Sequence, residues 1–314
     1  MDHNEQTGAS LAAAITKSAS KQTYYTIRLL VDRGLVADAY RAYGYFRWLD
    51  DLIDDHNGTQ SEKLALVNRQ KELLEACYRG EIPQNLCPEE QMLAELAIHD
   101  SGENPGLESY LHNMMAVMAF DAGRRGRVIS NEELSEYSRI LAYAVTDAMY
   151  YFIDHDDPGP CHRARYLAVT AAHITHMLRD AIEDIQSGYI NIPGEYMRNR
   201  GISPEDLESQ AYREWVRSRV QLARVYFQAG RECIALVKNF RCRLAGYAYI
   251  ARFEWMLDVI EREDYRLRRD YPERKGRRAG LWILWSTFVS MLRSPWVKAG
   301  ARLPGLQPIR SGKS

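Results

Sequence analysis

Apolar positions along this chain recur at three- and four-residue spacing, and no run alternates apolar and polar residues over a useful length. That period predicts helices at roughly 9–32, 35–55, 60–79, 88–99, 106–122, 131–154, 161–187, 204–238, 241–264 and 277–292. Gly-, Pro- and Asn-bearing stretches such as "HNGTQS", "IPQNLCP", "SGENPG" and "NIPGEYMRNRGISPED" separate them. Asn57-Gly58 reads as a helix stop rather than a hairpin turn, because no β-branched runs flank it. Ser130 and Ser203 are predicted N-caps, Ser130 with Glu133 in capping-box spacing. No low-complexity linker divides the chain and no fixed-period repeat runs through it. The expectation is one all-α domain over 1–314, about ten helices around a central cavity, with 1–15 and 300–314 flexible.

Composition narrows the function classes. The chain has 314 residues, 46% hydrophobic and 26% charged, which is ordinary for a globular protein with a sizeable core. A net charge of −1 gives no reason to expect nucleic acid as a partner. Cys77, Cys87, Cys161, Cys233 and Cys242 show no CxxC spacing, so free thiols in a reducing, cytoplasmic compartment are expected. The N-terminus has acidic residues before its short apolar run, the wrong order for a signal peptide. The most apolar stretch, 279–296, is followed by Lys298 and is read as a buried or interfacial helix, which leaves peripheral membrane contact open.

Two acidic clusters change the picture. In "RAYGYFRWLDDLIDDHNG", residues 41–58, Tyr43, Arg47, Asp50 and Asp54 share one helical stripe, and Asp51 and Asp55 lie about 100° round from it. In "HITHMLRDAIEDIQSGY", residues 173–189, His176, Asp180 and Asp184 form a second stripe beside Arg179 and Glu183. Large apolar residues surround both, so these helices bury much of their circumference. Crowding carboxylates near a core is costly unless cations neutralise them. Mg²⁺ takes oxygen ligands and is typically held by one or two carboxylates together with substrate phosphates. Two facing carboxylate stripes could hold Mg²⁺ around a diphosphate, with Arg47 and Arg179 contacting its oxygens. The implied chemistry is metal-assisted departure of pyrophosphate, leaving a carbocation if the substrate is allylic; an aromatic-lined cavity would shelter that cation. The plainer alternative makes each cluster a solvated helix end with salt bridges. Two clusters, each with i,i+4 aspartates and an adjacent Arg, weigh against it.

The residues resemble a known family. "YGYFRWLDDLID" is similar to the first aspartate-rich motif of squalene and phytoene synthases, near Y-x-x-C-R-x-x-D-x-x-x-D. "HMLRDAIEDIQSGYINIP" is similar to their second, near N-I-L-R-D-x-x-E-D-x-x-x-G-R-x-Y-L-P. Weaker similarity runs from "SKQTYY" to "ARFEWMLDVIEREDY" and on into "YPERKGRR". The resemblance implies an isoprenoid-synthase helical bundle and Mg²⁺-dependent ionisation of a prenyl diphosphate, the work of a prenyltransferase. It implies Asp50, Asp54, Asp180 and Asp184 as metal-binding residues and Arg47 and Arg179 as diphosphate contacts. Lys21, Arg269, Arg274 and Lys275 lie where basic residues could close over the diphosphate.

This sequence also departs from the pattern. His176 stands where the family usually has a metal-binding Asn; it could ligate metal, act as a base, orient Asp180, or be a hydrogen-bonded core histidine. The small-residue stretch of enzymes that join two prenyl chains is replaced by "YAVTDAMYYF", which puts Asp147 and Tyr150 near glycine positions. Phe253 replaces a tyrosine and Asn191 the Tyr of the "YLP" segment. The favoured expectation is therefore transfer of the prenyl cation to a small aromatic acceptor, with Asp147 or His176 binding a polar group or taking a proton, and Tyr43, Tyr150 and Phe253 lining the substrate site. Head-to-head condensation of two prenyl diphosphates stands close behind. A terpene cyclase and a non-catalytic assembly factor are the remaining alternatives.

Overall fold

The computed structural model describes residues 2–55, 58–157 and 163–293. The expected flexible segment 300–314 and Cys161 lie outside the described residues. Among the described residues twelve α-helices run in order: α1 (Asp2–Ala19), α2 (Lys21–Leu30), α3 (Val36–Asp54), α4 (Gln60–Tyr78), α5 (Pro88–His99), α6 (Gly106–Arg124), α7 (Asn131–Ile153), α8 (Leu167–Gln186), α9 (Gly194–Arg200), α10 (Gln210–Ile234), α11 (Phe240–Arg262) and α12 (Arg277–Arg293). Among the described residues no strand forms; a single β-bridge joins Val128 to Ile190.

Local chemistry explains where the helices begin and end. The stretch expected as one helix over 9–32 divides at Ser20, whose side chain accepts a hydrogen bond from Thr23 N–H and starts α2. Thr59 with Glu62 and Ser130 with Glu133 form reciprocal capping boxes at α4 and α7. Ser203 is not a helix N-cap. Its backbone and hydroxyl both donate to Asp206 in a turn, and Ser209 caps α10 instead. The segment expected as a break after Asn191 contains α9, which ends at Gly201 in the left-handed conformation, φ 63°. Within the segment 1–15 expected to be flexible, residues 8–15 lie in α1, where Ala12 is fully buried and the Gly44 backbone of α3 packs close against it.

The helices bury two apolar clusters. One gathers residues of α1 to α7 around Tyr45, Leu49, Leu93 and Leu111. The other gathers α8, α10 and α11 around Val216, Val220, Phe227 and Ile250. Helices α3 and α8 belong to different clusters, and their C-terminal ends meet at one cleft. Cys77, Cys87, Cys233 and Cys242 are free thiols. No described helix is long and apolar enough to cross a membrane.

Candidate active site

Both acidic clusters occupy the last two turns of their helices. Carboxylates there face the negative end of the helix dipole, an arrangement that costs stability unless something else requires it. In α3 part of the cost is offset by Lys63, a buried lysine whose ammonium caps the Ile53 carbonyl. In α8 the helix stops at a turn through Gly188, φ 89°, where Tyr189 N–H bonds back to the Asp184 carbonyl at 2.7 Å. Gly126 N–H donates to Gly188 O at 2.7 Å, which pins this turn to the α6–α7 loop. A side chain on Gly188 would meet Gly126 N at 3.3 Å, so glycine is needed for the contact as well as for the φ. The turn sends Tyr189 and Asn191 back toward the aspartates.

Together these elements line a cleft of about 200 Å³. Asp50 and Asp54 come from α3, and His176, Asp180 and Asp184 from α8. Asp121, Arg124, Tyr137, His173, Tyr189 and Asn191 complete the polar lining. The Tyr189 hydroxyl donates to Asp54 at 3.1 Å. Asn191 donates to Asp184 at 2.7 Å and accepts from Arg124 at 2.8 Å. Arg124 donates to Asp121 at 2.7 Å, and Tyr137 donates to the other Asp121 oxygen at 2.9 Å. The Arg124 guanidinium also stacks 4.9 Å from the ring centres of both Tyr137 and Tyr189.

The electrostatics divide the carboxylates. Burial, with the Asp54 charge beside it, pushes Asp50 up to about 7 against the pull of Arg47. Burial, with Asp180 beside it, pushes Asp184 up to about 7 despite Arg124. Asp121 is also raised, chiefly by burial. Asp180 behaves oppositely: burial raises it, but hydrogen bonds from His176 and Arg179 outweigh that and hold it well below the usual range. His176 Nε2 lies 3.1 Å from Asp180, and Arg179 grips both Asp180 oxygens. The cleft therefore holds one carboxylate, Asp180, that is firmly ionised and three, Asp50, Asp121 and Asp184, that are raised above the usual range.

These residues suit a hard divalent cation. The donors are carboxylate oxygens, Asp54 and Asp184 are oriented by Tyr189 and Asn191, and the elevated Asp50 and Asp184 mark excess negative charge that a cation would relieve. Among the described residues no three His, Cys, Asp or Glu side chains converge as a ready-made metal site. The aspartates instead come in pairs, which suits an ion that completes its shell with water and phosphate oxygens.

The other expected site residues are placed as follows. Arg47 bonds to Asp50 at 3.2 Å and pairs with Asp51, so Asp51 is an ion-pair partner rather than a purely solvated group. His176 is half exposed, which removes the core-histidine reading; the buried histidine is His173, bonded to Ser138 at 3.1 Å. Phe253 on α11 meets His176 edge-on at 6.4 Å and Tyr249 at 5.0 Å. Tyr43 is half buried on α3, its phenol raised by burial. Lys21 is exposed at the start of α2. Lys21, Tyr43, Asp147, Tyr150 and Phe253 do not line the acidic cleft. Asp147 is held by Ser109 at 2.7 Å and Arg165 at 3.1 Å, and Tyr150 is buried under the Arg165 guanidinium.

Several participants escaped the sequence reading, Tyr137 and Tyr189 among them. Asp121 and Arg124 sit in "FDAGRR", where an i,i+3 acid–base pair at the end of an apolar helix was the available signal. Arg252 precedes Phe253; burial and the charges of Arg179 and Arg274 lower its pKa, so these three cations lie within electrostatic reach of one another.

Comparison with known proteins agrees with this architecture. The sequence profile of the squalene/phytoene synthase family matches residues 16–278. A chloroplastic phytoene synthase of an Oncidium hybrid cultivar is 24% identical over 254 residues, 78% of this chain and 59% of its own length. The 15-cis-phytoene synthase of Synechococcus elongatus is 23% identical over 265 residues, 78% of this chain and 81% of its own. The presqualene diphosphate synthase of Zymomonas mobilis is 28% identical over 203 residues, 62% of this chain and 64% of its own. Among solved structures, squalene synthase HpnC from Alicyclobacillus acidocaldarius superposes with a TM-score of 0.67 at 20% identity, covering 85% of this chain and 98% of that one. With the profile covering most of its length, the chain belongs to the squalene/phytoene synthase family.

Proposed function

We propose that this protein is a prenyltransferase that joins two prenyl diphosphates head to head with release of pyrophosphate. The observation that carries the reading is the single cleft between α3 and α8, where Asp50 and Asp54 of one helix and Asp180 and Asp184 of the other are gathered. Family membership favours a second prenyl diphosphate over the aromatic acceptor expected from the altered middle helix. The structure adds nothing for the aromatic acceptor, since Asp147 is engaged by Ser109, Arg165 and Tyr166.

Asp50, Asp54, Asp180 and Asp184 would hold Mg²⁺, with His176 beside Asp180. When bound, Mg²⁺ supplies Lewis-acid neutralisation of the diphosphate oxygens. The chain's own residues do the rest. Arg179, fixed against Asp180, and Arg252 on the neighbouring helix add positive charge where the leaving group would lie. Tyr189 and Asn191 orient Asp54 and Asp184. The donor's C–O bond breaks and pyrophosphate leaves with the electron pair. The allylic cation is attacked by the second substrate's double bond, the new cation that results loses a proton to give the joined product, and the rings of Tyr249 and Phe253, beside His176, lie close by to stabilise positive charge.

Incubation with geranyl, farnesyl and geranylgeranyl diphosphates and Mg²⁺ tests this. The expected products contain two prenyl units. A product built from one substrate chain would instead identify a cyclase, and release of no pyrophosphate from any donor would end the proposal.

A further inference from the structure

Helix α12 is packed the wrong way round for a surface helix. Its buried positions are small or polar: Ala279 and Thr287 are buried, and Ser290 accepts a 2.7 Å hydrogen bond from Arg231. Its outward positions are large and apolar. Leu281, Leu284, Trp285, Phe288 and Leu292 are from 55% to 70% exposed. Their spacing of i, i+3, i+4, i+7 and i+11 puts all five on one stripe. A soluble helix normally turns such a stripe inward, and a contiguous exposed apolar patch marks an interaction surface.

The charge beside the stripe identifies the partner. Arg277 and Arg278 open the helix and Arg293 closes it; Lys298, Arg302, Arg310 and Lys313 follow in sequence. From Arg277 to the end of the sequence there is no Asp or Glu, in a chain whose net charge is −1. Within the helix itself, Arg277, Arg278 and Arg293 thus bracket the apolar stripe at its two ends. Tryptophan, phenylalanine and leucine on one face with flanking arginines is the composition of a helix that lies in the plane of a membrane surface. Helix α12 is too short and too interrupted by polar residues to cross a bilayer.

We propose that the Leu281–Leu284–Trp285–Phe288–Leu292 face docks on an anionic phospholipid surface, the apolar side chains entering the acyl boundary and the flanking arginines meeting lipid phosphates. The helix is anchored to the body through Trp255 against Trp282 and through Arg231 to Ser290, so docking would hold the whole protein at the surface. The inference does not rest on the proposed catalysis, and binding is measured without substrate.

The full chain is mixed with vesicles of phosphatidylcholine alone or with phosphatidylglycerol added, and binding is read by flotation. The expected result is binding to the anionic vesicles at least about tenfold tighter than to the neutral ones, weakening as salt screens the arginines. Leu284→Glu/Phe288→Glu should lose that binding while helicity and melting temperature hold, because both side chains are already exposed. Arg277→Glu/Arg278→Glu should lose the preference for anionic lipid and keep the fold. Trp285 fluorescence should shift to the blue with vesicles, and Trp285→Phe should remove that shift. The proposal is overturned if the full chain ignores both vesicle types. It is equally overturned if Leu284→Glu/Phe288→Glu binds as the parent does. Sedimentation showing that this face joins two copies of the chain, or binding that emerges only after residues 294–314 are deleted, would assign the stripe to another occupant and also overturn it.

Discussion

The Tyr189 hydroxyl donates a 3.1 Å hydrogen bond to Asp54, tying the turn after α8 to the last turn of α3 across 135 residues of sequence. One aspartate-bearing segment thus orients a carboxylate of the other. The phenol is raised by burial and by the Asp54 charge, so it stays a donor through neutral pH. Tyr189→Phe removes that donor and keeps the ring over Arg124. A neutral hydrogen bond to a charged group contributes about 1.5–3 kcal/mol, and here it acts on ligand geometry. We expect the Mg²⁺ concentration for half-maximal turnover to rise roughly tenfold or more, with little change in melting temperature. An unchanged metal titration would show that Asp54 needs no orientation from Tyr189.

Asp50 and Asp184 make the metal-free protein sensitive to pH. Both are raised to about 7 in the folded state, against roughly 3.9 in an unfolded chain. The native state therefore keeps protons that the unfolded state has released. Stability from these groups is fully present near pH 4, declines as pH rises toward 7, and stays low above it. Asp50→Asn or Asp184→Asn should raise metal-free stability at pH 8 by roughly 1 kcal/mol, after discounting for the solvent that reaches Asp50, and by almost nothing at pH 4. Denaturant titrations at the two pH values check this. Turnover should be abolished in both variants. A stability gain that is the same at both pH values would remove the electrostatic explanation.

Much of this site was legible because helical spacing is geometric. Asp50 and Asp54, and Asp180 and Asp184, had to share faces once their segments were helices, and apolar neighbours on both sides meant burial. Helix α12 was placed almost to its ends, while its inverted packing depends on which neighbours surround it and carries no local signature. Asp121 and Arg124 were missed for the same reason: an acid–base pair three residues apart on a helix reads as surface pairing until a fold buries it. Asn191 was noticed only as a departure from a motif. Its amide proves to bridge Asp184 to Arg124, a role set by the turn at Gly188. Asp147 went the other way. A carboxylate in an apolar helix suggested chemistry, yet Arg165, eighteen residues along and in a different element, neutralises it.

The Asp121–Arg124 pair is buried, with side-chain exposures of 16% and 7%. Removing one partner of such a pair leaves an uncompensated charge and costs about 3–5 kcal/mol. Arg124→Met should therefore destabilise by roughly 3 kcal/mol, and the loss should shrink at low pH as Asp121 takes up a proton. Arg124→Met with Asp121→Asn should recover at least half of it, since no charge is then left buried. Chemical denaturation of the single and double variants measures this coupling. Equal destabilisation in both would mean that packing against Tyr137 and Tyr189, rather than charge, is what Arg124 contributes.

Gly230 lets α10 approach the start of α8, the helix that carries Asp180 and Asp184. A methyl group there would lie 2.7 Å from Ala168 Cβ and 3.1 Å from the Ala168 backbone. Backbone cannot swing aside as a flexible side chain can, so the two helices would have to part. Against that stands the helix preference for Ala over Gly, about 1 kcal/mol. Overpacking typically costs about 1–3 kcal/mol, so Gly230→Ala should destabilise by roughly 1 kcal/mol net and displace α8 enough to lower turnover. Gly280 on α12 is the control: nothing lies within 4 Å of its Cβ position, so Gly280→Ala should gain about 0.5–1 kcal/mol and leave turnover alone. Thermal melts and rates for the two variants distinguish them. A stabilised Gly230→Ala protein with unaltered turnover would show that the α8–α10 contact has room to spare and does not set the position of the aspartates.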